Sequence, residues 1–409
     1  MKHTRCNLLI VLLVGISSCK EQRTTPVPTA VSPVHEMPSP AKNNSAMPFL
    51  FSNDHKTLLS WVETVGDSLA ILNYAELIDG AWQEPSMIAQ GTDWFVNWAD
   101  FPAITEHNGT LLTHMLKKSS VGTYSYDIKL NLLTKGEKEW KNNLPLHDDQ
   151  TPTEHGFVTT LPYGSDSFFM TWLDGRNTEE KEGEERGAMT LRTAEVNSLG
   201  ALQNEALLDP RTCDCCQTTA AITSNGPVVL YRDRTENEVR DISIVRKIAG
   251  EWSAPKTIHA DNWLIKGCPV NGPKAAALEN TLAVAWFTAA DNSPQVKLVF
   301  SADGGENFDA PIVVSPVKTI GRVDVVLLDM NTAIVSYMEM IDKQAQLKAV
   351  KVKRSGEIAK PVVISELDAS RKTGFPQMEL VQDKVYFAWT DVDQKNSAIK
   401  TAFVALEAF

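Results

Sequence analysis

Three of the six cysteines lie within four consecutive positions, in the segment RTCDCCQTTAA (211–221). These are Cys213, Cys215 and Cys216, and Cys268 follows in the segment NWLIKGCPVNGP (262–273). Thiols at this spacing can form disulfides, bind a soft metal ion, or exchange disulfides with other thiols. The choice among these chemistries depends on the compartment of the protein and on the loops that carry the cysteines.

The first nineteen residues predict export. Lys2 and Arg5 precede the apolar run NLLIVLLVGI (7–16), which is too short to span a bilayer. The segment ISSC (16–19) resembles a bacterial lipobox, and this resemblance implies cleavage before Cys19 and lipidation of that cysteine. We therefore expect a signal peptide over residues 1–18 and a lipid-anchored protein of the cell envelope, at the outer membrane or the periplasmic face. An ordinary signal peptide is the alternative.

Residues 19–47 carry the lipidated cysteine and a proline-rich stretch, with five prolines among Ser, Thr, Lys and Asn. Such a composition cannot bury enough apolar surface to offset the entropy of ordering, so it predicts a disordered tether. We expect the folded domain over residues 48–409. The formal charge of −12 argues against nucleic acid as a partner.

Removal of Cys6 with the signal and lipidation of Cys19 leave four cysteines, for which three interpretations stay open. An even number in an exported protein favours disulfides, with Cys215 or Cys216 bridged to Cys268. A metal site of all four thiolates and His155 would favour Cu(I) or Zn(II), and a hybrid would combine one disulfide with two thiolates. A redox site would use thiols whose pKa is lowered by neighbouring cationic side chains.

A repeat positions these loops. Seven short apolar segments, each with a central aromatic residue or histidine, recur at steps of 51 to 59 residues. The central residues are Trp61, His114, Trp172, Tyr231, Trp286, Tyr337 and Trp389. Four short strands per repeat, with polar turns and almost no helical periodicity, predict an all-β fold, a β-propeller with seven blades. A six-bladed propeller and a pair of β-sandwiches are the alternatives.

One repeat carries a family motif. The segment SADGGENF (301–308) resembles the Asp box of sialidase-like propellers, with Ser301, Asp303, Gly305 and Phe308 at the motif positions. The resemblance implies a structural turn at the end of the propeller that faces away from the active site. The segments TPTEHGF, CDCCQT and GCPVNGP also look like those of an uncharacterised bacterial branch of Asp-box propellers. That resemblance implies a shared site but no known reaction.

The loops that precede the innermost strands are expected at the mouth of the channel, where they bring together many polar side chains. A sialidase-type site needs arginines for the substrate carboxylate, a tyrosine nucleophile with a glutamate, and an aspartate. The catalytic candidates are Arg322, Arg371, Asp324, Glu154 and Tyr337. Further rim residues are Arg176, Arg211, Arg232, Arg234, Asp100, Asp148, Asp149, Asp174 and His147.

The Arg-Ile-Pro segment that supplies the first arginine of sialidases is missing from the sequence. We therefore predict binding of a small ligand, glycan or transition metal (Cu or Zn) at the mouth as the principal function. Glycoside hydrolysis of the sialidase type is the alternative. A third interpretation is an interaction propeller whose rim loops are held only by disulfides.

Overall fold

The computed structural model describes residues 32–179, 186–316, 318–393 and 396–409. Residues 33–409 form one compact unit built almost entirely of antiparallel strands. Within the described residues, helical structure is limited to short 3-10 turns at Ala290–Asn292, Arg371–Thr373 and Leu406–Ala408. None of the described helices has the length and apolar character that a membrane crossing requires.

The first strand, β1 (Val34–Met37), precedes blade 1, and three blades then follow along the chain. Blade 1 contains β2 (Ser45–Ser52), β3 (Thr57–Val65), β4 (Leu69–Ile78), β5 (Ala81–Trp82) and β6 (Ser86–Gly91). Blade 2 contains β7 (Ile104–His107), β8 (Thr110–Lys118), β9 (Tyr126–Leu133) and β10 (Lys141–Pro145). Blade 3 contains β11 (His155–Tyr163), β12 (Ser167–Asp174), β13 (Thr190–Asn197) and β14 (Leu202–Asp209).

The remaining blades complete the ring. Blade 4 contains β15 (Thr219–Thr223), β16 (Gly226–Arg232), β17 (Ile242–Ile248), β18 (Glu251–Trp252) and β19 (Lys256–Thr257). Blade 5 contains β20 (Lys274–Leu278), β21 (Thr281–Thr288), β22 (Gln295–Ser301) and β23 (Ile312–Ser315). Blade 6 contains β24 (Thr319–Asp329), β25 (Thr332–Ile341), β26 (Gln344–Lys353) and β27 (Val362–Leu367), and blade 7 contains β28 (Gln377–Val381), β29 (Lys384–Asp393) and β30 (Asn396–Ala405).

The seven-bladed propeller predicted from the repeat is confirmed, and the six-bladed and β-sandwich alternatives are wrong. Blade 7 obtains its outer strand from the N-terminal side, because β1 pairs with β30 in antiparallel register from Val34↔Val404 to Met37↔Thr401. The propeller therefore begins before the expected boundary at residue 48, and part of the segment expected to be a disordered tether is a strand. The predicted signal peptide and Cys19 lie outside the described residues.

The repeated aromatic residues form the core between blades. Trp61, Trp172 and Trp286 are each at most 2% exposed, and each packs against apolar side chains of the preceding blade. His114 occupies the same position in blade 2, where burial lowers its pKa to about 3 and keeps the ring neutral. Tyr337 holds the same position of the repeat in blade 6, and its side chain packs in the core between blades 5 and 6. This correction removes Tyr337 from the rim candidates.

The two ends of the ring differ. The loops that enter the innermost strands lie at the mouth, whereas the turns between third and fourth strands lie at the opposite end. The segment 301–308 forms one of the latter turns, and Gly304 N donates to Asn280 O in the neighbouring turn at 2.8 Å. Ser301 Oγ donates to Asp303 Oδ1 at 2.7 Å, and Asn307 N donates to the same oxygen at 2.9 Å. These bonds fix the turn.

Candidate functional site

A central channel of about 330 Å³ is lined by residues of six innermost strands, those of blade 1 and blades 3 to 7, and by loop residues up to Ala103 at the entrance to blade 2. The loop 97–102 lies at its mouth, where Ala99, Asp100 and Phe101 line the cavity. Gln217 anchors this loop, because its Nε2 donates to Ala99 O at 2.6 Å while its Oε1 accepts from Gly272 N at 3.1 Å. The volume lies at the lower end of the range for small-ligand pockets.

Buried carboxyl groups line the channel. Burial is the main reason that the pKa of Glu379 is raised to about 8 and that the pKa of Asp324 is raised. Ser52 Oγ donates to Glu379 Oε2 at 2.8 Å, and Met378 N donates to Asp324 Oδ2 at 2.9 Å. Lys274 lowers both pKa values but does not outweigh burial. Asp324 thus lines the channel and forms no ion pair with the neighbouring rim arginines.

Two arginines meet at the mouth, between blades 6 and 7. The guanidinium carbon of Arg322 lies 5.3 Å from the centre of the Trp98 ring, and that of Arg371 lies 5.9 Å from the same ring. The ring of Phe375 stacks on the ring of Trp98, with a centroid distance of 5.8 Å and an interplanar angle of 7°. We call Trp98, Arg322, Arg371 and Phe375 the arginine clamp.

The arginine clamp lacks an internal counter-charge. Among the described residues, no carboxylate oxygen lies within 4.0 Å of the nitrogens of either guanidinium group. Arg322 is only 6% exposed, and its guanidinium donates to Thr373 Oγ1 and, at 3.1 Å, to Ser370 O. Burial and, secondarily, the like charge of Arg371 lower the pKa of Arg322 to about 10. The neutral contacts hold this charge in place, and the charge of Asp368, which lies beyond 4.0 Å, favours the charged form only in part.

A bulge in the innermost strand of blade 6 directs Arg322. The register of β24 against β25 shifts on both sides of Gly321, which has φ +78°, and Arg322 itself has φ +53°. A non-glycine residue at positive φ is sterically costly and is tolerated where surrounding contacts fix it. Asn271 provides such a contact, because its Oδ1 accepts from Arg322 N at 2.8 Å.

On the other side of loop 97–102, a tyrosine and two carboxyl groups form a second cluster. Tyr126 Oη donates to Glu154 Oε1 at 2.7 Å and lies 3.4 Å from Asp100 Oδ2. Phe157 N donates to Asp100 Oδ1 at 2.7 Å. Burial is the main cause that raises the pKa of Glu154 to about 7 and the pKa of Asp100 well above its usual range. Glu154 can therefore act as a proton donor near neutral pH.

Sequence reasoning selected Glu154 but assigned it no tyrosine. Tyr126 is the first residue of β9, and that position puts its side chain beside the strand entry of the next blade. Its distance of 28 positions from Glu154 hides the pair in the sequence. The signal that could have found it is the position of Tyr126 at a turn between second and third strands, which faces the mouth.

The histidines form a separate network between blades 2 and 3. His147 Nδ1 and Asp149 Oδ2 are 2.8 Å apart, and His155 Nε2 lies 3.3 Å from the same oxygen and 3.7 Å from Asp174 Oδ1. Arg176 Nε donates to Asp174 Oδ1 at 2.7 Å. Burial opposes protonation of His155, but Asp149 and Asp174 outweigh it and raise its pKa. Arg176 and the raised pKa of His155 thus offset part of the charge of the two carboxylates.

The four cysteines meet at the rim of blades 4 and 5. Cys215 and Cys268 form a disulfide, whereas Cys213 and Cys216 are buried thiols whose sulfurs lie 3.5 Å apart. Cys213 Sγ accepts from Arg240 Nη1 at 3.1 Å. The contact with Cys216, opposed by burial and assisted by the charge of Arg240, lowers the pKa of Cys213 to about 6.

This geometry corrects the expected metal site. Two of the four thiolates are consumed by the disulfide, and His155 contacts Asp149 and Asp174 instead of the cysteines. The arrangement corresponds to the hybrid of one disulfide and two thiols. Among the other rim arginines, Arg234 pairs with Glu238 at 2.8 Å, and the guanidinium of Arg232 donates to backbone carbonyls.

No protein-family model matches the chain, and no curated protein matches it. Solved structures do match. A polysaccharide lyase of family PL25, an ulvan lyase, has a TM-score of 0.58 and 11% identity over 91% of this chain and 96% of that chain. The ulvan lyase bound to -[GlcA(1-4)Rha3S]- has a TM-score of 0.57 and 11% identity over 91% of this chain and 96% of that chain. The polysaccharide lyase Uly1 has a TM-score of 0.51 and 7% identity over 88% of this chain and 90% of that chain. At these identities the likeness shows a shared β-propeller fold.

Proposed function

We propose that the propeller mouth binds an anionic glycan through the arginine clamp. The observation that carries this proposal is the buried Arg322 guanidinium beside Arg371, with no carboxylate of the described chain within 4.0 Å of either one and only the more distant Asp368 in partial compensation. A buried unpaired charge is unfavourable unless a counter-ion completes the site. A sugar carboxylate or sulfate supplies that counter-ion, and the planar guanidinium groups suit its oxygens.

The aromatic part of the arginine clamp supports a sugar over an inorganic anion. Trp98 is half-buried, so part of its ring is open to a ligand, and Phe375 fixes the ring from one side. The Cα atoms of Trp98 and Asp100 are at most about 7 Å apart along the chain. One short oligosaccharide on the arginine clamp would therefore lie close to Asp100, which lines the channel beside the fully buried Tyr126. The structural neighbours include an ulvan lyase bound to a glycan that contains glucuronic acid and sulfated rhamnose.

The test compares one glycan with and without its charge. Isothermal calorimetry would measure binding of an oligoglucuronate and of its carboxyl-reduced, neutral counterpart to the purified full-length chain. We expect binding of the anionic form only, and a loss of about 10- to 100-fold in Arg371→Ala, because hydrogen bonds to charged groups contribute about 1.5–3 kcal/mol.

The matched control is Arg354→Ala. Arg354 is paired with Asp309 at the opposite end of the propeller, with Nε and Oδ2 2.6 Å apart, and its loss removes the same charge. We expect this variant to bind like the wild type. Equal affinity for the charged and neutral glycans, or equal losses in the two variants, would contradict the proposal.

A second candidate function, glycan cleavage, is favoured by the Tyr126–Glu154–Asp100 cluster. A tyrosine hydrogen-bonded to a glutamate, with an aspartate beside it, contains the residue types that a sialidase-type reaction requires. We expect turnover of an aryl sialoside or depolymerisation of an acidic glycan to fall by at least about 100-fold in Tyr126→Phe. The anionic glycan should still bind to that variant. Unchanged turnover, or no turnover by the wild type, would reject catalysis while leaving the binding proposal intact.

The site's proposed location is the cell envelope, with the lipid on Cys19 as membrane anchor. This proposal is supported by the charged start, the short apolar run and the segment ISSC. In cell fractionation, we expect Cys19→Ser to leave the membrane fraction. A wild-type chain found without a lipidated N-terminal cysteine by mass spectrometry would contradict it.

A further inference from the structure

The two free thiols form a buried pair that the glycan site does not use. Cys213 and Cys216 are at most 1% exposed, and their sulfurs lie 3.5 Å apart at the entrance to blade 4. Two sulfurs bound to one ion at about 2.3 Å each lie at most about 4.6 Å apart, so the pair can share one ion, and a linear two-coordinate ion would need the sulfurs to separate by up to about 1 Å more. Their positions are fixed by the backbone, since Cys213 N donates to Arg232 O at 3.1 Å.

The environment of this pair is positively charged. Arg232 is 1% exposed, and its guanidinium donates to Asn271 O, Arg240 O and Phe287 O at distances between 2.7 and 3.0 Å. Within the described part of the chain, no carboxylate lies within 4.0 Å of these nitrogens. Arg240 is also buried, and its Nη1 donates to Cys213 Sγ at 3.1 Å, but its charge is paired with Glu238 through Nη2 at 2.8 Å. The surroundings therefore supply about one uncompensated positive charge.

Charge and ligand number identify the ion. Two thiolates and one monovalent cation carry a net charge of −1, which Arg232 balances. Two thiolates and Zn(II) would be neutral and would leave Arg232 uncompensated, and zinc in structural sites almost always takes four ligands. Thiolates are soft ligands, and Cu(I) is a soft monovalent ion that they bind well. We infer that Cys213 and Cys216 bind a single Cu(I) ion through their two sulfurs.

The disulfide limits the site to two sulfurs. Cys215 Sγ lies 4.0 Å from Cys213 Sγ, so as a free thiolate it would stand close enough to become a third ligand. Its bond to Cys268, which is exposed at the surface, removes that ligand. Binding forms two Cu–S bonds, displaces the protons that the two sulfurs carry, and transfers no electron.

The test uses the full-length chain purified in detergent without chelator or thiol reductant. An anaerobic titration offers it Cu(I) held by bicinchoninate, with ascorbate to keep the copper reduced. We expect the wild type to take one equivalent, Cys216→Ser to bind more than about 100-fold more weakly, and Cys213→Ser/Cys216→Ser to take none. The matched control, Cys215→Ser/Cys268→Ser, removes two cysteines but keeps the pair, and it should still take one equivalent.

Two further measurements keep the inference testable if a variant fails to fold. Thiol titration of the denatured wild type should give two free thiols, and copper X-ray absorption of the loaded wild type should show two sulfur ligands. Zero free thiols, absence of copper transfer to the wild type, coordination by nitrogen and oxygen, or undiminished copper binding by Cys213→Ser/Cys216→Ser would each overturn it. Failure here leaves the glycan proposal untouched, because the two sites share no ligand.

Discussion

Removal of the Cys215–Cys268 disulfide should lower the free energy of unfolding of the propeller by an amount that depends on the length of the loop that the disulfide closes. The bridge joins residues 53 positions apart, across the boundary of blades 4 and 5. A cross-link over a loop of this length lowers the entropy of the unfolded chain by an amount worth about 4 kcal/mol at 25 °C. In the folded state, Gly272 N still donates to Gln217 Oε1, so the two loops keep a noncovalent contact in Cys215→Ser/Cys268→Ser. We therefore expect most of the 4 kcal/mol to appear as a lower free energy of unfolding.

Urea unfolding followed by tryptophan fluorescence measures this change, since the chain has ten tryptophans. With an m-value of about 3 kcal/mol/M, the midpoint should fall by roughly 1 M. Reduction of the wild type should cause the same fall, and the reductant should cause no further change in Cys215→Ser/Cys268→Ser. A loss below about 1 kcal/mol on reduction would refute the argument, because the bridge would then restrict the unfolded chain far less than its loop length requires.

Three further predictions concern single residues. Glu379→Gln should raise the unfolding free energy relative to wild type, and denaturant titrations should show this difference growing between about pH 4.5 and pH 8. The pKa of Glu379 in the folded state is raised to about 8, so in this range the folded state binds more protons than the unfolded state. Wild-type stability therefore falls as pH rises. Gly321→Ala should lower stability by at least about 1–2 kcal/mol and weaken binding of oligoglucuronate, because φ is +78° and the added Cβ would lie 2.2 Å from Asn271 Oδ1. Unchanged affinity in a folded Gly321→Ala would show that the bulge does not direct Arg322. Asp303→Ala should lower thermal stability by about 1 kcal/mol and leave glycan affinity unchanged, because its hydrogen bonds lie at the opposite end.

The fold could be predicted from the sequence because each blade repeats one local pattern. Trp61, Trp172 and Trp286 mark second strands at nearly even spacing, and each fills the same gap between neighbouring blades. The assignment of Tyr337 to the rim was wrong, because its position in the same repeat places it in the core. The outer strand of blade 7 is hard to find in the sequence, because Val34–Met37 is short, partly exposed and far along the chain from β30.

The site could be predicted only as a set of loops. The order of the loops around the mouth follows from the blade order, so the four cysteines were expected to meet. Which side chains pair with which depends on distances of a few ångströms that residue spacing does not encode. His155 was expected among the thiols, but Asp149 and Asp174 lie closer and carry the charge that a protonated imidazole needs.

Both proposed sites are built around arginines, Arg232 and Arg322, that have no carboxylate within 4.0 Å among the described residues, although acidic residues outnumber basic ones by 51 to 39 in the sequence. Acidic side chains are therefore not scarce, and other arginines form ion pairs with them, as Arg234 does with Glu238 and Arg354 does with Asp309. Asn271 connects the two exceptions, because its backbone carbonyl accepts from Arg232 while its side chain accepts from Arg322 N. This residue belongs to the loop that the Cys268 disulfide holds. One loop thus contacts both buried arginines. In the two proposals, the thiolates balance the charge of Arg232 and a bound anionic ligand balances that of Arg322.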